Sequence, residues 1–166
     1  YAEVKALAAG TTSIQGSFPL SSGYTQHLAR NVDLSNFNTD KVRQRALSVL
    51  DSTFQNDEAP NLVADMEASD VDAWLVHLAE GTAGDAVMEF QVLTDVCLLR
   101  SETVIIHGTA LTSTDLDEVA AAGAKIIIAP TSNYLYYGAT ADVVGALARG
   151  IVVSLSTDWA PAGDKN

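Results

Sequence analysis

The feature that most constrains the fold is an alternation between short apolar runs and segments with helical periodicity. The apolar runs, rich in β-branched residues, lie at 74–78, 103–107, 125–129 and 151–155. The main helical segments lie at 83–99, 113–122 and 139–148. Strands that are apolar along their whole length predict a parallel sheet covered on both faces. The order of strands and helices therefore predicts an α/β fold.

Candidate metal ligands stand at or just after the ends of three of these strands. His77 lies at the end of the first run with Glu80 three residues later, His107 closes the second run, and Asp158 follows the fourth. Imidazole and carboxylate groups are the ligands that hydrolytic zinc or iron sites use. The carboxyl ends of the strands in a (β/α) barrel surround one pocket. We therefore expect these side chains to meet at one ion.

Each of these residues also has a simpler structural interpretation. A histidine at a strand end, such as His77 or His107, can be a hydrogen-bonded core residue. Glu80 can be a solvated or helix-capping acid, and Asp158 can cap a helix or a turn. The tyrosines of the segment 131–137 can line a pocket or pack at the rim of a barrel.

Charge and composition exclude several kinds of partner. The net charge of the 166-residue chain, −12 at pH 7, disfavours nucleic acids and anionic membrane surfaces. No apolar run approaches the roughly 20 residues of a membrane-spanning helix, and no signal peptide is visible at the start. The single cysteine, Cys97, cannot form an internal disulfide and is expected in the core. Its isolation fits a reducing, cytoplasmic location.

The motifs of two other protein classes are missing. No Gly-x-Gly-x-x-Gly motif follows a strand, and the sequence has no phosphate-binding Gly-x-x-x-x-Gly-Lys loop. It also has no Gly-x-Ser-x-Gly nucleophile elbow. Nucleotide binding and serine catalysis are therefore disfavoured.

Taken in order, the motifs of this chain resemble those of the amidohydrolase superfamily. They are His77-Leu-Ala-Glu80, His107-Gly108, Pro130-Thr-Ser-Asn133 with Tyr136-Tyr-Gly138, and Ser156-Thr-Asp-Trp-Ala-Pro161. The chain is most similar to the branch that holds cytosine and guanine deaminases, chlorotriazine hydrolases and imidazolonepropionase. The similarity covers nearly the whole chain, since Thr11-Thr-Ser-Ile-Gln-Gly-Ser17 resembles the second barrel strand of these enzymes.

The resemblance implies a (β/α)8 barrel and hydrolysis by a metal-activated water. In one-metal members, a strand-five histidine and a strand-eight aspartate bind the ion, so these roles fall to His77 and Asp158. Asp158 would also accept a proton from the water, while Glu80 and His107 would shuttle protons and orient the substrate. The implied cofactor is one divalent ion, zinc before iron or manganese. The implied substrate is a small cyclic amide, amidine or aminated nitrogen heterocycle.

Two features depart from that family. The His-x-His motif that supplies two further ligands on strand one is absent, and a whole barrel needs about 250 residues. We therefore expect residues 1–166 to form a truncated barrel, about strands two to eight, without the first strand and the C-terminal part. No lysine ends the candidate fourth strand at 46–50, which favours one metal ion over two. Open strand edges would favour association into a homo-oligomer.

Two hypotheses for the function follow. The first is a metal-dependent hydrolase that acts on non-peptide carbon–nitrogen bonds, by opening cyclic amides or amidines or by deaminating rings. The second is a non-catalytic fragment or degenerate barrel that binds no metal.

Overall fold

Strands and helices alternate along the chain in a computed structural model that describes residues 2–14, 30–31 and 41–158. The strands are β1 (Ser13–Ile14), β2 (Arg30–Asn31), β3 (Val42–Arg45), β4 (Ala73–Leu78), β5 (Thr103–His107), β6 (Lys125–Ile128) and β7 (Val153–Leu155). The α-helices are α1 (Ala2–Ala8), α2 (Ala59–Glu67), α3 (Asp85–Asp95), α4 (Ser113–Ala122), α5 (Pro130–Tyr137) and α6 (Val143–Ala148). A π-helix (Phe54–Glu58) runs directly into α2. None of the helices in the described ranges is long and apolar enough to span a membrane.

The strands form parallel sheets in sequential order. β3, β4, β5, β6 and β7 are neighbours in one five-stranded sheet, and β1 pairs with β2 in a separate two-stranded one. Parallel neighbours need a crossover connection, and in the five-stranded sheet the intervening helices supply it. A sheet ordered in this way is what successive β/α units of a barrel produce. The predicted α/β fold is confirmed.

The core lies between the five-stranded sheet and the helices that cover it. β4 and β5 are its most deeply buried strands, with Leu78 and Ile105 fully enclosed. Leu93 of α3 and Leu116 of α4 pack into the same cluster. Burial of each such side chain contributes about 1.5–3 kcal/mol. This packing fixes the two strands whose carboxyl ends carry the histidines.

The prediction of a strand at 46–50 is wrong. The fourth strand of the barrel order is β3, four residues earlier, with the polar sequence Val-Arg-Gln-Arg. Arg45 ends it, stacking 4.0 Å above the Phe54 ring centre and pairing with Glu58 at 2.9 Å. These contacts accommodate a charged residue where the apolar pattern predicts none. The strand still does not end in a lysine.

The prediction that Cys97 is a core residue is also wrong. Cys97 lies just beyond α3, exposed, with a φ of 60°. Its amide donates to the Thr94 carbonyl, and the amide of Leu98 donates to the Leu93 carbonyl. This pair of hydrogen bonds is the Schellman form of a helix end. The turn leaves Cys97 in solvent and places Leu98 in the core.

Candidate active site

The side chains of His77, Glu80 and His107 come together at the carboxyl end of the sheet. His77 is the penultimate residue of β4, Glu80 follows that strand by two residues, and His107 is the last residue of β5. One ligand atom from each of the three lies within 4.8 Å of the others. His107 is buried, whereas the side chains of His77 and Glu80 are 27% and 33% exposed. The cluster is therefore buried at His107 and open to solvent at His77 and Glu80.

The backbone of His107 turns its ring toward His77. In the register of β4 and β5, His107 lies opposite Leu78, and His77 lies opposite Ile106. Since successive side chains alternate between the faces of a sheet, regular strands would put the two histidines on opposite faces. His107 instead has a φ of 76°, which redirects its Cα–Cβ bond. The two rings meet edge to face, with their centres 5.1 Å apart.

Glu80 bridges the two imidazoles. Its Oε2 lies 3.3 Å from Nδ1 of His77 and 3.4 Å from Nε2 of His107. The turn before Glu80 is stabilised by the buried Glu89 of α3, whose carboxylate accepts a hydrogen bond of 2.8 Å from the backbone amide of Ala79. Glu89 is a residue that the sequence analysis missed, because its helical position resembles that of any surface acid.

Helix α5 contributes two further contacts to the cluster. Nδ1 of His107 lies 2.8 Å from Oδ1 of the fully buried Asn133. The hydroxyl of Tyr137 donates to Oε1 of Glu80 at 2.9 Å. Both residues belong to motifs noted in the sequence, where the tyrosines of 131–137 were expected to line a pocket or pack at the rim of a barrel and Asn133 was given no role. The signal available there was their spacing of four residues, which places them on one face of a helix.

The electrostatics of the cluster favour an ionised Glu80. The hydrogen bond with His77 is the main cause that lowers the pKa of Glu80, and the His107 charge and the Tyr137 hydroxyl act in the same direction against partial burial. Burial, the hydrogen bond to Glu80 and the charges of Glu80 and Asp158 raise the pKa of Tyr137 to about 12. At neutral pH, Tyr137 is therefore a donor and Glu80 a carboxylate.

Asp158 lies outside the three-residue cluster. It follows β7 by three residues, is half-buried and has a φ of 63°. Its amide donates to Oγ of Ser156 at 3.1 Å. Its charge is one of the causes that raise the pKa of Tyr137. The structure thus brings together His77, Glu80 and His107, with Asp158 at the edge of the group.

The donor set suits a divalent ion of the zinc type. Nε2 of His107 is fully buried and has no hydrogen-bond partner in the part of the chain that the structure describes. Its nearest carboxylate oxygen, Oε2 of Glu80, lies 3.4 Å away, and a buried nitrogen that makes no hydrogen bond costs about 1–3 kcal/mol unless a ligand or proton meets it. Two imidazoles and a carboxylate are donors that zinc, iron and manganese accept. The residues present therefore fit a metal ion.

A cavity elsewhere in the molecule has no part in this cluster. It has a volume of about 290 Å³, lies between β3 and α2, and is lined by residues that include Arg43, Arg45, Glu58 and Trp74. Its arginines are already paired, Arg43 with Asp65 and Arg45 with Glu58. The cavity contains none of the candidate catalytic residues.

Comparisons with known proteins connect this arrangement to hydrolases and deaminases. No family model matches the chain. A 5-methylthioadenosine/S-adenosylhomocysteine deaminase of Haloquadratum walsbyi is 31% identical over 67 residues, which is 40% of this chain and 15% of that protein. The chain therefore matches only a small part of the length of this curated relative.

Solved structures show the same fold. An adenosine deaminase from Xanthomonas campestris with bound zinc matches 85% of this chain and 30% of its own, with a TM-score of 0.60 and 16% identity. The match with atrazine chlorohydrolase from Arthrobacter aurescens, complexed with zinc, covers 61% of this chain and 24% of that one, with a TM-score of 0.52 and 21% identity. The match with a mutant of that enzyme, complexed with zinc and atraton, covers 73% of this chain and 28% of that one, with a TM-score of 0.57 and 17% identity.

The resemblance inferred from the motifs is confirmed at the level of the fold. The described residues form a parallel-strand section of the (β/α) barrel that these amidohydrolase-type structures have. The matched part corresponds to 30% or less of each of these proteins. Their activities belong to those proteins, and the function of this chain has to be argued from its own site.

Proposed function

We propose that this chain, which has the fold of amidohydrolase-type enzymes, is part of a metal-dependent hydrolase that acts on non-peptide carbon–nitrogen bonds. The observation that carries the proposal is the convergence of His77, Glu80 and His107 at the carboxyl ends of adjacent parallel strands. The described residues contain seven strands, the number expected for barrel strands two to eight. Residues 1–166 are accordingly the catalytic barrel domain, in partial form.

His77 and Asp158 are the proposed ligands of one divalent ion, zinc before iron or manganese. His77 lies at the carboxyl end of β4 and Asp158 follows the carboxyl end of β7, which is where the ligands of such a barrel lie. When bound, the ion lowers the pKa of a coordinated water and so supplies a nucleophile at neutral pH. As a ligand of the ion, Asp158 would also accept the proton that the attacking water gives up.

Glu80 and His107 are the proposed proton-handling groups. A carboxylate that is ionised at neutral pH can first accept a proton and then deliver it, which is the shuttle role that the lowered pKa of Glu80 favours. The proton that the attacking water gives up to Asp158 would be passed to Glu80, which would deliver it to the leaving nitrogen as the carbon–nitrogen bond breaks. Nε2 of His107 faces the same space and polarises the attacked group.

The substrate class follows from the reaction and from the charge of the chain. The structural neighbours are named for adenosine, atrazine and triazine substrates, and a small nitrogen heterocycle or cyclic amide is the class we propose here. The net charge of −12 disfavours nucleic acids and anionic membranes as partners. We also propose that the protein is cytoplasmic and forms a homo-oligomer.

The proposal is tested by metal content and turnover together. Elemental mass spectrometry of the purified protein should find about one zinc, iron or manganese per chain. Ammonia release should follow with a panel of aminated heterocycles, and ring opening, detected by mass spectrometry of the product, with cyclic amides and amidines. Asp158→Asn should abolish turnover while the far-UV circular dichroism stays unchanged. Asp117→Asn is the matched control, because Asp117 is an exposed acid of α4 that pairs with Arg149. Metal-free protein without turnover would support the non-catalytic barrel instead.

A further inference from the structure

We propose that helix α5 orients both proton-handling groups of the site by holding the far atom of each one. Asn133 holds Nδ1 of His107, and Tyr137 holds Oε1 of Glu80, so that Nε2 and Oε2 face each other. The catalytic meaning of this inference rests on the proposed function. The geometry itself does not, and it can be tested in the protein without metal or substrate.

The contact between Asn133 and His107 is a buried one. Both side chains are at most 1% exposed, and Oδ1 lies 2.8 Å from Nδ1. The amide nitrogen of Asn133 donates to Oγ1 of Thr140 at 3.0 Å, which leaves Oδ1 as the end that faces the ring. An oxygen at this place can only accept, so a proton is held on Nδ1. Nε2 is then the nitrogen that is free to exchange a proton.

The contact between Tyr137 and Glu80 gives the two carboxylate oxygens of Glu80 different partners. Oε1 accepts the tyrosine hydroxyl at 2.9 Å, and Oε2 remains toward the two imidazoles at 3.3 and 3.4 Å. Without the hydroxyl, the carboxylate could rotate about its last torsion, since that torsion is broad in glutamate.

Asn133 and Tyr137 stand four residues apart, so they lie on one face of α5, about one turn from each other. The helix begins directly after β6 with Pro130 at its first position, where the fixed φ of proline suits a helix start. Since α5 follows the strand next to β5, one rigid element reaches both groups. Asn133 and Tyr137 are positioning residues, because they act through His107 and Glu80.

The first test is the position of the proton on His107 in the metal-free protein. Long-range ¹⁵N–¹H correlation spectra of histidine-labelled protein show which ring nitrogen carries a proton, and a His107→Gln variant assigns the signal. We expect a proton on Nδ1 that exchanges slowly with solvent. A bare Nδ1 in the unmodified protein overturns the role of Asn133, and this result requires no variant to fold.

The second test uses variants of the helix. Asn133→Asp keeps an acceptor oxygen and should retain the Nδ1 proton, whereas Asn133→Leu should release it. Tyr137→Phe should leave the His107 signal in place, because Asn133 remains. Tyr134→Phe is the matched control, since Tyr134 lies on the same helix and is 59% exposed. Loss of the signal in Tyr134→Phe would mean that the helix as a whole, not the two contacts, sets the proton.

Turnover measurements then separate orientation from substrate binding. Asn133→Leu and Tyr137→Phe should each lower kcat by about 10–100-fold with KM nearly unchanged, the usual scale for a partner behind a functional group. The double variant should lose little more than the worse single variant, because both contacts align one pair of atoms. A raised KM with unchanged kcat, or fully multiplicative losses, overturns the inference. Absence of turnover in the unmodified protein overturns the proposed function, while the spectra still decide the role of α5.

Discussion

The two ends of the five-stranded sheet differ in how their polar groups are satisfied. At the amino end, exposed charges are paired, as in Lys41 with Asp70 and Arg100 with Glu67. At the carboxyl end, the buried side-chain atoms without a hydrogen-bond partner, among the residues that the structure describes, belong to Arg45, His107, Thr109 and Ser132. Among the described residues, the buried side-chain polar atoms that lack a hydrogen-bond partner thus lie at the carboxyl end, the end that carries the candidate site.

Backbone strain shows the same difference. Ala79, His107 and Asp158 have positive φ values at the carboxyl ends of strands, where each such conformation costs of the order of 1–3 kcal/mol. The other two positive-φ residues besides glycine in the described part of the chain, Ser69 and Cys97, follow the helices α2 and α3. A left-handed residue is routine at a helix end. Strain in the strands is thus concentrated at the candidate site.

The largest expected contrast is in activity. Glu80→Gln removes the carboxylate that bridges the two histidines and should lower kcat by about 10²–10⁴-fold, the usual share of a general acid–base group, with the metal retained. Glu102→Gln, the same change at the amino end just before β5, should leave kcat unchanged. Steady-state kinetics and elemental analysis of the two variants make the comparison. Loss of the metal in Glu80→Gln would make Glu80 a ligand and remove it from proton transfer.

A smaller contrast concerns two threonines, one at the start of β5 and one just after its end. Thr103 is buried and donates to the Leu98 carbonyl at 2.5 Å, so Thr103→Val should lower the free energy of unfolding by about 1–3 kcal/mol. Oγ1 of Thr109 is buried and has no hydrogen-bond partner among the described residues, so Thr109→Val should be neutral or stabilising by about 1 kcal/mol. Urea unfolding measures both. Equal losses in the two variants would show that the carboxyl end is no less satisfied than the amino end.

A third contrast tests strain away from the site. Cys97→Gly removes a side chain from a left-handed helix end and should stabilise the fold by about 0.5–1 kcal/mol, because glycine adopts that conformation without steric cost. Activity should not change, since Cys97 lies at the amino end. Thermal unfolding gives the sign, and a destabilised Cys97→Gly variant would mean that the thiol makes a contact worth more than the strain.

The smallest effect is a dependence on pH. The site lowers the pKa of Glu80 below its ordinary value of 4.5, chiefly through His77. A depressed folded-state pKa adds stability above that ordinary value and loses it as pH falls through the folded value. The difference in unfolding free energy between the unmodified protein and Glu80→Gln should therefore narrow below about pH 4. A difference that is constant down to about pH 3 would mean that the contact with His77 is not charge-assisted.

The sequence predicted the strands that are apolar throughout and failed where other contacts decide. The ranges 103–107 and 113–122 agree with β5 and α4 at both ends, because continuous burial and a Thr112–Asp115 capping box mark them locally. β3 was misplaced because Arg43 pairs with Asp65, and Arg45 pairs with Glu58 and stacks on Phe54. No local sequence pattern predicts these contacts. Cys97 was misplaced because its environment depends on one backbone turn.

The candidate site divides in the same way. His77, Glu80 and His107 could be predicted to meet, because each is tied to a strand end and parallel strands bring their carboxyl ends together. Asn133, Tyr137 and Glu89 act across elements, through contacts with residues 10 to 57 positions away. Such contacts depend on the packing of helices on the sheet. The binding of metal by His77 and Asp158 stays a prediction.

The left-handed backbone at positions 107 and 158 also limits which amino acids evolution can place there. Apart from glycine, that conformation is tolerated best by asparagine, aspartate and histidine, and it is a severe outlier for β-branched residues. His107 and Asp158 belong to this short group. Imidazole and carboxylate, the metal-binding side chains in the group, are therefore compatible with the shape of the backbone at both positions. Valine or isoleucine would be strained at either position, whatever chemistry the site requires.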